Sequence, residues 1–198
     1  MRPSTNDILD LLVENANTEF ASGKTLPPAI YHDPGILALE TERLFRKEWT
    51  CLGRLAEIPA AGDYICRDIA DSPVFVVRQR DQSVRAFANV CVHRSARLLQ
   101  ADGHVSRISC PYHSWTYELD GRLIGAPFMK ETPGFDVGSH RLKELRCETW
   151  EGFIYVNLDE NATAIGDQLC KLTELIAGYR MADYVPVFAR EDTWNTNW

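Results

Sequence analysis

The stretch CVHRSARLLQADGHVSRISCPYH, residues 91–113, decides how the chain can fold, because it places two cysteine–histidine pairs sixteen residues apart. Cys91 and His93 form the first pair, and Cys110 and His113 form the second. Each pair follows a β-type run, so a tight loop can turn both side chains towards one point. Two thiolates and two neutral imidazoles suit zinc, and they suit equally a [2Fe–2S] cluster with cysteines on one iron and histidines on the other.

The order of cysteines and histidines along the chain helps to distinguish a zinc site from a [2Fe–2S] cluster. Zinc modules usually pair like with like, as two cysteines followed by two histidines. Here each loop supplies one cysteine and one histidine. A two-iron cluster between two loops needs that arrangement, because each loop must reach both irons. The pattern therefore favours the cluster and leaves a structural zinc domain as an alternative.

Composition excludes several other classes of protein. The 198 residues are 45% hydrophobic, which predicts one ordinary domain or one domain and part of a second. A net charge of −7 argues against nucleic-acid binding. Acids interrupt the apolar N-terminal run, so we expect no signal peptide and no membrane contact, and a cytoplasmic location. In that compartment the six cysteines are expected to bind metal or to be buried, not to form disulfides.

Hydrophobic patterning predicts a β body between helical ends, an α+β fold. An N-terminal helix is expected to be capped by Thr5 or Asn6, and a second by Asp33 with Pro34 in its first turn. Short β-type runs extend from Cys51 to residue 159. Asp120-Gly121 marks a hairpin turn within them. Beyond the β body the period becomes helical again, with apolar residues at positions 165, 169, 172, 176 and 179.

The ligand pairs and their surroundings resemble a known family. The segments NVCVHR and CPYHSWTYELDGRL resemble the Rieske signature, and most closely that of the N-terminal part of Rieske non-heme iron oxygenase α subunits. Similar stretches are LPPAIYHDP, EWTCLGRLAEIPAAGDY, FVVRQRDQSVRAFANVC and WEGFIYVNLD, so the resemblance covers nearly all of residues 26–160.

This resemblance implies a domain organisation. Residues 49–159 are expected to form an antiparallel β Rieske domain whose cluster-binding subdomain consists of two loops. Residues 1–48 would be an N-terminal helical arm. Residues 160–198 would be a helix and the start of a truncated catalytic domain. Because the terminal helices pack on the catalytic domain in this family, we predict exposed apolar residues on both terminal segments.

The resemblance also implies the site. Cys91, His93, Cys110 and His113 would hold one [2Fe–2S] cluster per chain, and none of them would be catalytic. His113 would lead the electron to a mononuclear iron on the neighbouring subunit of a homotrimer. Trp115 and Tyr117 are expected to pack over the cluster.

The implied function is electron relay from a flavin reductase or ferredoxin to a mononuclear Fe(II), for O₂-dependent hydroxylation or demethylation of a small organic substrate. No two-histidine, one-carboxylate triad can be assembled here, because only His32, His104 and His140 remain beyond the cluster ligands. We therefore expect this chain alone not to be catalytically competent. A free-standing Rieske ferredoxin-like carrier is the alternative. Aromatic acids and quaternary ammonium compounds both fit as substrates.

Several residues near the motifs carry further expectations. Arg94 and Arg97 either dock a reductase or solvate the first loop. Ser114 replaces a glycine that is usual in the family, at a cost of about 1 kcal/mol if the position needs a positive φ. Trp115 occupies the place of a serine found in high-potential respiratory Rieske proteins, which predicts a low potential. His32, His104 and His140 are expected to be structural or exposed. Buried free thiols are expected at Cys51, Cys66, Cys147 and Cys170.

Overall fold

The computed structural model describes residues 3–188, 190 and 192–193. These residues fall into two compact units, one with residues 3–44, 190 and 192–193, and one with residues 45–188. Of the segment 160–198, expected to be a helix and the start of a truncated catalytic domain, residues 189, 191 and 194–198 lie outside the described residues. The division into residues 1–48, 49–159 and 160–198 stays a prediction.

The first unit contains two short helices with capped N-termini. Helix α1 spans Thr5–Ala16 and helix α2 spans Pro34–Glu40. The expected Asp33 cap is confirmed, since its carboxylate accepts the Ile36 N–H at 3.0 Å. The expected cap of α1 was wrong by one residue, because Ser4 is the N-cap. The Ser4 hydroxyl accepts the Asp7 N–H, and the Asp7 carboxylate accepts the Ser4 N–H, which is a reciprocal capping box. Single-turn 3₁₀ segments cover Phe20–Ser22 and Pro28–Tyr31, and a π turn covers Thr41–Phe45.

Ten antiparallel strands build the second unit, which confirms the α+β class. The strands are β1 Thr50–Arg54, β2 Asp63–Ile69, β3 Ser72–Arg78, β4 Val84–Ala88, β5 Gly103–His104, β6 Ile108–Ser109, β7 Thr116–Tyr117, β8 Leu123–Gly125, β9 Glu144–Trp150 and β10 Phe153–Asn157. Seven form one sheet in the order β1-β10-β9-β4-β3-β2-β5, and β6-β7-β8 form a smaller sheet. The expected hairpin turn at Asp120-Gly121 joins β7 to β8 and is confirmed.

Alternating residues of the central strand β3 face two different cores. Val74 and Val76 belong to one buried cluster, and Phe75 and Val77 belong to the other. All four side chains are fully buried, so both faces of this strand are covered. The core that contains Phe75 also includes the cysteines of the two ligand loops. The sheet therefore supports the loops from below.

The helical run after the β body is broken, which corrects the expectation of one continuous pattern. Helix α3 spans Ile165–Gln168 and helix α4 spans Cys170–Ile176, followed by 3₁₀ turns at Ala177–Tyr179 and Met181–Asp183. Leu169 lies between the helices with φ −101° and ψ 8°. Side chains of β9 fix both helices: Glu148 accepts the Ile165 N–H at 2.9 Å. The Trp150 indole donates to the Thr173 hydroxyl at 2.7 Å.

Apolar side chains are exposed mainly on the terminal segments, as predicted. Of the nineteen large hydrophobic residues exposed in the described chain, eight precede residue 45 and seven follow residue 163. Leu37 and Leu44 are among them. No helix in the described part of the chain is long and apolar enough to cross a bilayer.

Candidate metal centre

The first ligand loop is closed by two backbone hydrogen bonds around Cys91. The Cys91 N–H donates to the Ala96 carbonyl at 2.8 Å, and the Ser95 N–H donates to the Cys91 carbonyl at 2.9 Å. This closure requires a left-handed residue, which is Ser95 with φ +53°. The loop therefore returns to the sheet within six residues and points the intervening side chains outward.

The second loop repeats the same closure around Cys110. The Cys110 N–H donates to the Trp115 carbonyl at 2.8 Å, and the Ser114 N–H donates to the Cys110 carbonyl at 3.0 Å. Ser114 has φ +57°, so the position does require the left-handed region. Serine adopts there the conformation that glycine reaches without strain. The two loops are thus alike in backbone although one carries C-x-H and the other C-x-x-H.

A buried asparagine fixes the base of the first loop. Asn89 is fully buried. Its amide donates to the Leu99 carbonyl at 2.7 Å and accepts the Leu99 N–H at 2.9 Å. The side chain thus pairs with a backbone segment as a neighbouring strand would. Sequence reasoning missed this residue, because its partner is ten positions away.

The two histidines meet where the loops converge. The ring centroids of His93 and His113 are 4.8 Å apart, with planes at 68°. The Nδ1 atom of His113 is buried and has no hydrogen-bond partner among the described residues. An unpaired buried nitrogen is costly unless something accepts its lone pair. A metal ion directed at this atom would satisfy it.

The two cysteines lie beneath the histidines, inside the core. Cys91 is 2% exposed and Cys110 is 3% exposed. Burial raises the pKa of the Cys91 thiol, and the nearby Cys110 thiol raises it further. A buried pair of thiolates is therefore unfavourable without a positive charge between them. A metal supplies that charge.

The proposed donors divide by burial into a cysteine pair in the core and a partly exposed histidine pair. A structural zinc site needs four donors around one ion. A [2Fe–2S] cluster takes two protein donors on each iron. A deep cysteine pair and an outer histidine pair fit the cluster.

Tyr117 supplies a hydrogen bond to the cysteine side of the site. Its hydroxyl lies 3.0 Å from the Cys91 Sγ and accepts the Val92 N–H at 3.3 Å. Because the hydroxyl oxygen already accepts from the backbone, its own proton is available for the sulfur. Burial raises the pKa of Tyr117, so the phenol remains protonated and can donate. Strand β7 positions this residue at the floor of the site.

Trp115 forms a buried wall against one imidazole. Its ring stacks on His93 with centroids 4.6 Å apart and planes within 4°. Phe135 and His140 lie edge-on to the indole, with ring centroids 5.6 Å and 6.2 Å from that of Trp115. His140 is thus part of an aromatic group around the site. No spacing in the sequence indicates this contact, since it joins distant loops.

Other candidate residues have separate roles. His104 lies on β5 and binds the Asp63 carboxylate at 2.8 Å, so it is no third ligand. Arg97 binds Asp68 at 2.8 Å, whereas Arg94 is exposed. His32 ends the 3₁₀ turn at Pro28–Tyr31.

The expectation of four buried thiols was half wrong. Cys66 is buried, and burial raises its pKa to about 11. Cys147 is partly buried, with its pKa raised to about 12 for the same reason. Cys51 and Cys170 are exposed. Cys51 lies on β1, an edge strand, and Cys170 begins the outer helix α4, so neither position has a covering element.

Comparison with known proteins agrees with this geometry. The family model described as Rieske [2Fe-2S] domain matches residues 48–145. The glycine betaine monooxygenase oxygenase subunit of Chromohalobacter salexigens is 43% identical over 178 residues, which are 88% of this chain and 39% of that protein. The carnitine monooxygenase oxygenase subunit of Escherichia coli is 38% identical over 160 residues, 80% of this chain and 43% of that one.

The similar solved structures are also Rieske oxygenases. The apo form of a quaternary ammonium Rieske monooxygenase has a TM-score of 0.76 at 34% identity, covering 81% of this chain and 48% of its own. Naphthalene 1,2-dioxygenase from Rhodococcus sp., bound to indole, has a TM-score of 0.77 at 30% identity, covering 87% and 40%. The chain thus spans less than half the length of each of these proteins.

Proposed function

Residues 48–145 form a Rieske [2Fe–2S] domain of the kind found in Rieske oxygenase α subunits, and on that premise we propose that the chain relays single electrons within such an oxygenase. The observation that carries the proposal is the convergence of two buried cysteines and two outer histidines from two loops of the same backbone form. A flavin reductase or ferredoxin would be the donor. No observation favours a free-standing carrier.

Cys91 and Cys110 would hold the inner iron, and His93 and His113 the outer one. When bound, the cluster accepts and releases one electron at a time. Tyr117 donates its hydroxyl proton towards the Cys91 sulfur, and Trp115 holds the His93 ring in place and keeps water from that side. Of the four proposed ligands, only the imidazoles are accessible enough to meet a partner.

His113 is the residue we assign to electron exit. Its buried, unpaired Nδ1 is the atom suited to the metal, which leaves Nε2–H to donate a hydrogen bond. A carboxylate on a neighbouring subunit would be a suitable acceptor, and a homotrimer would place it there. The Tyr112 ring, 60% exposed, lies beside this imidazole, with the ring centroids 3.8 Å apart.

We assign oxygen activation to a mononuclear iron of the whole enzyme and not to the described residues, since this chain spans less than half of the oxygenase subunits it resembles. The described chain would therefore not hydroxylate or demethylate a substrate alone. We propose a quaternary ammonium compound as the substrate of the whole enzyme, since relatives at 43% and 38% identity are named for glycine betaine and carnitine. Six free cysteines suit a reducing compartment, so we assign the relay to the cytoplasm.

Metal analysis of the purified protein tests the relay. We expect about two irons and two acid-labile sulfides per chain and a brown colour. His113→Ala and Cys110→Ser should lose the cluster, whereas His104→Ala, a histidine bound to Asp63, should retain it. A colourless protein with one zinc would refute the proposal.

The substrate is tested separately, with the whole oxygenase and a reductase. Oxygen uptake should rise with glycine betaine or carnitine and stay at the background rate with naphthalene. Stimulation by naphthalene alone would overturn the substrate assignment and leave the relay intact.

A further inference from the structure

The connection between β8 and β9, residues 126–143, covers the aromatic side of the site. Four of its apolar side chains pack against the core cluster that contains both ligand cysteines and Trp115. They are Ala126, Met129, Phe135 and Val137. Near its end the connection forms a 3₁₀ turn over Val137–Ser139, and the partly buried His140 follows this turn. A histidine that is not a proposed ligand therefore lies beside the aromatic wall of the site.

Hydrogen bonds fix His140 at its backbone and at its ring. The His140 N–H donates to the Val137 carbonyl at 3.2 Å, and the His140 carbonyl accepts the Leu123 N–H at 3.0 Å. The ring atom Nδ1 lies 2.8 Å from the Asp136 carbonyl oxygen and 3.0 Å from the Ser139 hydroxyl. A carbonyl oxygen only accepts hydrogen bonds, so Nδ1 carries the hydrogen and donates it. The ring of His140 is therefore held in one orientation.

The His140 ring lies against two other aromatic rings, and the three rings form one group. Its centroid is 4.9 Å from that of Phe135 and 6.2 Å from that of Trp115. The centroids of Phe135 and Trp115 are 5.6 Å apart. The planes of His140 and Trp115 meet at 86°, which is the edge-to-face arrangement that aromatic pairs favour. Two neighbouring rings thus restrict the movement of the indole.

The His93 imidazole depends on that indole for its orientation. Metal-bound histidines are usually oriented by a hydrogen bond from their second ring nitrogen. Among the described residues, the His93 ring has no hydrogen-bond partner. Its ring contacts are with Trp115, stacked at 4.6 Å and within 4°, and with His113, at 4.8 Å and 68°. The stacked indole is thus the flat surface that sets the plane of this imidazole.

We propose that His140 is a positioning residue for His93 and that it acts through Trp115. The hydrogen bond to Asp136 holds the His140 ring, and this ring holds the indole. The indole then sets the plane of the imidazole that would bind the outer iron. This inference rests on the proposed relay and adds a residue that lies outside the two ligand motifs. A fixed imidazole plane keeps the surroundings of the outer iron alike in both oxidation states, which suits the transfer of single electrons.

Pulsed EPR of the cluster-loaded protein, reduced with dithionite, tests this positioning. The unpaired electron couples to the ligating nitrogen of each imidazole, so the spectrum gives one nitrogen coupling for each ring. The spread of a coupling reports how uniformly that ring is oriented. The readout is spectroscopic, so it requires neither a substrate nor turnover.

Two variants and a control locate the effect. His140→Phe keeps an aromatic ring of similar size and loses the hydrogen bond from the ring nitrogen. We expect the spread of one nitrogen coupling to increase about twofold and the other coupling to stay as in the wild type. Trp115→Phe should broaden the same coupling, which identifies it as that of His93. His104→Ala is the matched control, because this histidine binds Asp63 and not an aromatic ring, and it should change neither coupling.

The double variant shows whether His140 acts through Trp115. Once the indole has been replaced, His140→Phe should add no further broadening to that of Trp115→Phe, because two residues that act in series are not additive. An additive effect would mean that His140 reaches the imidazole by another route, and it would overturn the proposal.

The outcomes distinguish this inference from the relay itself. Unchanged couplings in His140→Phe, or equal broadening of both, overturn the positioning role, while an intact [2Fe–2S] spectrum leaves the relay in place. Loss of the cluster from His140→Phe overturns it as well, because a positioning residue is not needed to hold the cluster. Wild-type protein without the spectrum of a reduced [2Fe–2S] cluster would refute the relay first.

Discussion

Replacing Tyr117 with phenylalanine should lower the reduction potential of the bound cluster. The variant keeps the ring in its fully buried position and removes only the hydroxyl. That hydroxyl is 3.0 Å from the Cys91 sulfur and 3.3 Å from the Val92 nitrogen. The change therefore deletes one donor to sulfur and leaves one backbone N–H without its partner.

The size of the effect follows from the charge that reduction adds. A hydrogen bond to a charged acceptor contributes about 1.5–3 kcal/mol, and one between neutral groups about 0.5–1.5 kcal/mol. Adding an electron makes the sulfur a more negative acceptor. The hydrogen bond therefore stabilises the reduced cluster by about 1 kcal/mol more than the oxidised cluster. For a one-electron couple, about 59 mV corresponds to a tenfold change in equilibrium constant, or about 1.4 kcal/mol. We therefore expect the midpoint of Tyr117→Phe to fall by about 30–60 mV.

A spectroelectrochemical titration of the cluster-loaded protein measures this midpoint. Tyr112→Phe is the control, because its ring also lies beside the site but its hydroxyl has no hydrogen bond in the described chain. Its midpoint should move by less than about 10 mV, well under the loss of one such hydrogen bond. A Tyr117→Phe midpoint that is unchanged or raised, with the visible spectrum intact, would refute the assignment of the hydroxyl as donor to sulfur.

Three further substitutions test the support of the site. Ser114→Gly should raise the free energy of unfolding by up to about 1 kcal/mol, because glycine adopts φ +57° without strain. Urea denaturation measures this free energy, and a lower value than in the wild type would contradict the reasoning. Asn89→Ala should lower that free energy by about 2–4 kcal/mol, since it leaves both backbone groups of Leu99 unpaired; a change below about 1 kcal/mol would mean that water replaces the amide. Trp150→Phe removes the hydrogen bond to Thr173. Hydrogen exchange of the α4 amides should become about fivefold faster, equivalent to about 1 kcal/mol, while exchange in β9 stays unchanged. If the α4 amides exchange at the wild-type rate, other contacts hold the helix.

The four ligands could be predicted from the sequence because they lie in two short motifs. The shared backbone conformation of the two ligand loops could not. C-x-H and C-x-x-H differ in spacing, yet both loops close with the same pair of backbone bonds and a left-handed serine. Only backbone geometry shows this. The cost expected for Ser114 could be stated in advance because glycine is usual there, whereas Ser95 gave no such signal.

Local signals predicted elements better than periodicity did. The Asp33 cap is confirmed because capping depends on neighbours three residues away. The same local rule explains the correction at α1, where Ser4 and Asp7 form the capping box. The apolar period after residue 160 predicted a continuous helix, but the chain breaks at Leu169. Contacts from β9 fix each piece separately, and a one-dimensional pattern contains no information on them.

Burial divides the site into two ends that can be altered independently. The cysteines are 2% and 3% exposed and meet the Tyr117 hydroxyl, so groups at this end act on the potential. The imidazoles are partly exposed and lie beside Arg94 and Tyr112, so groups at the other end act on partner choice. Tyr117→Phe should therefore lower the midpoint and leave the exposed imidazole end unchanged. A relay needs this separation, because its potential must suit both donor and acceptor while its surface distinguishes them.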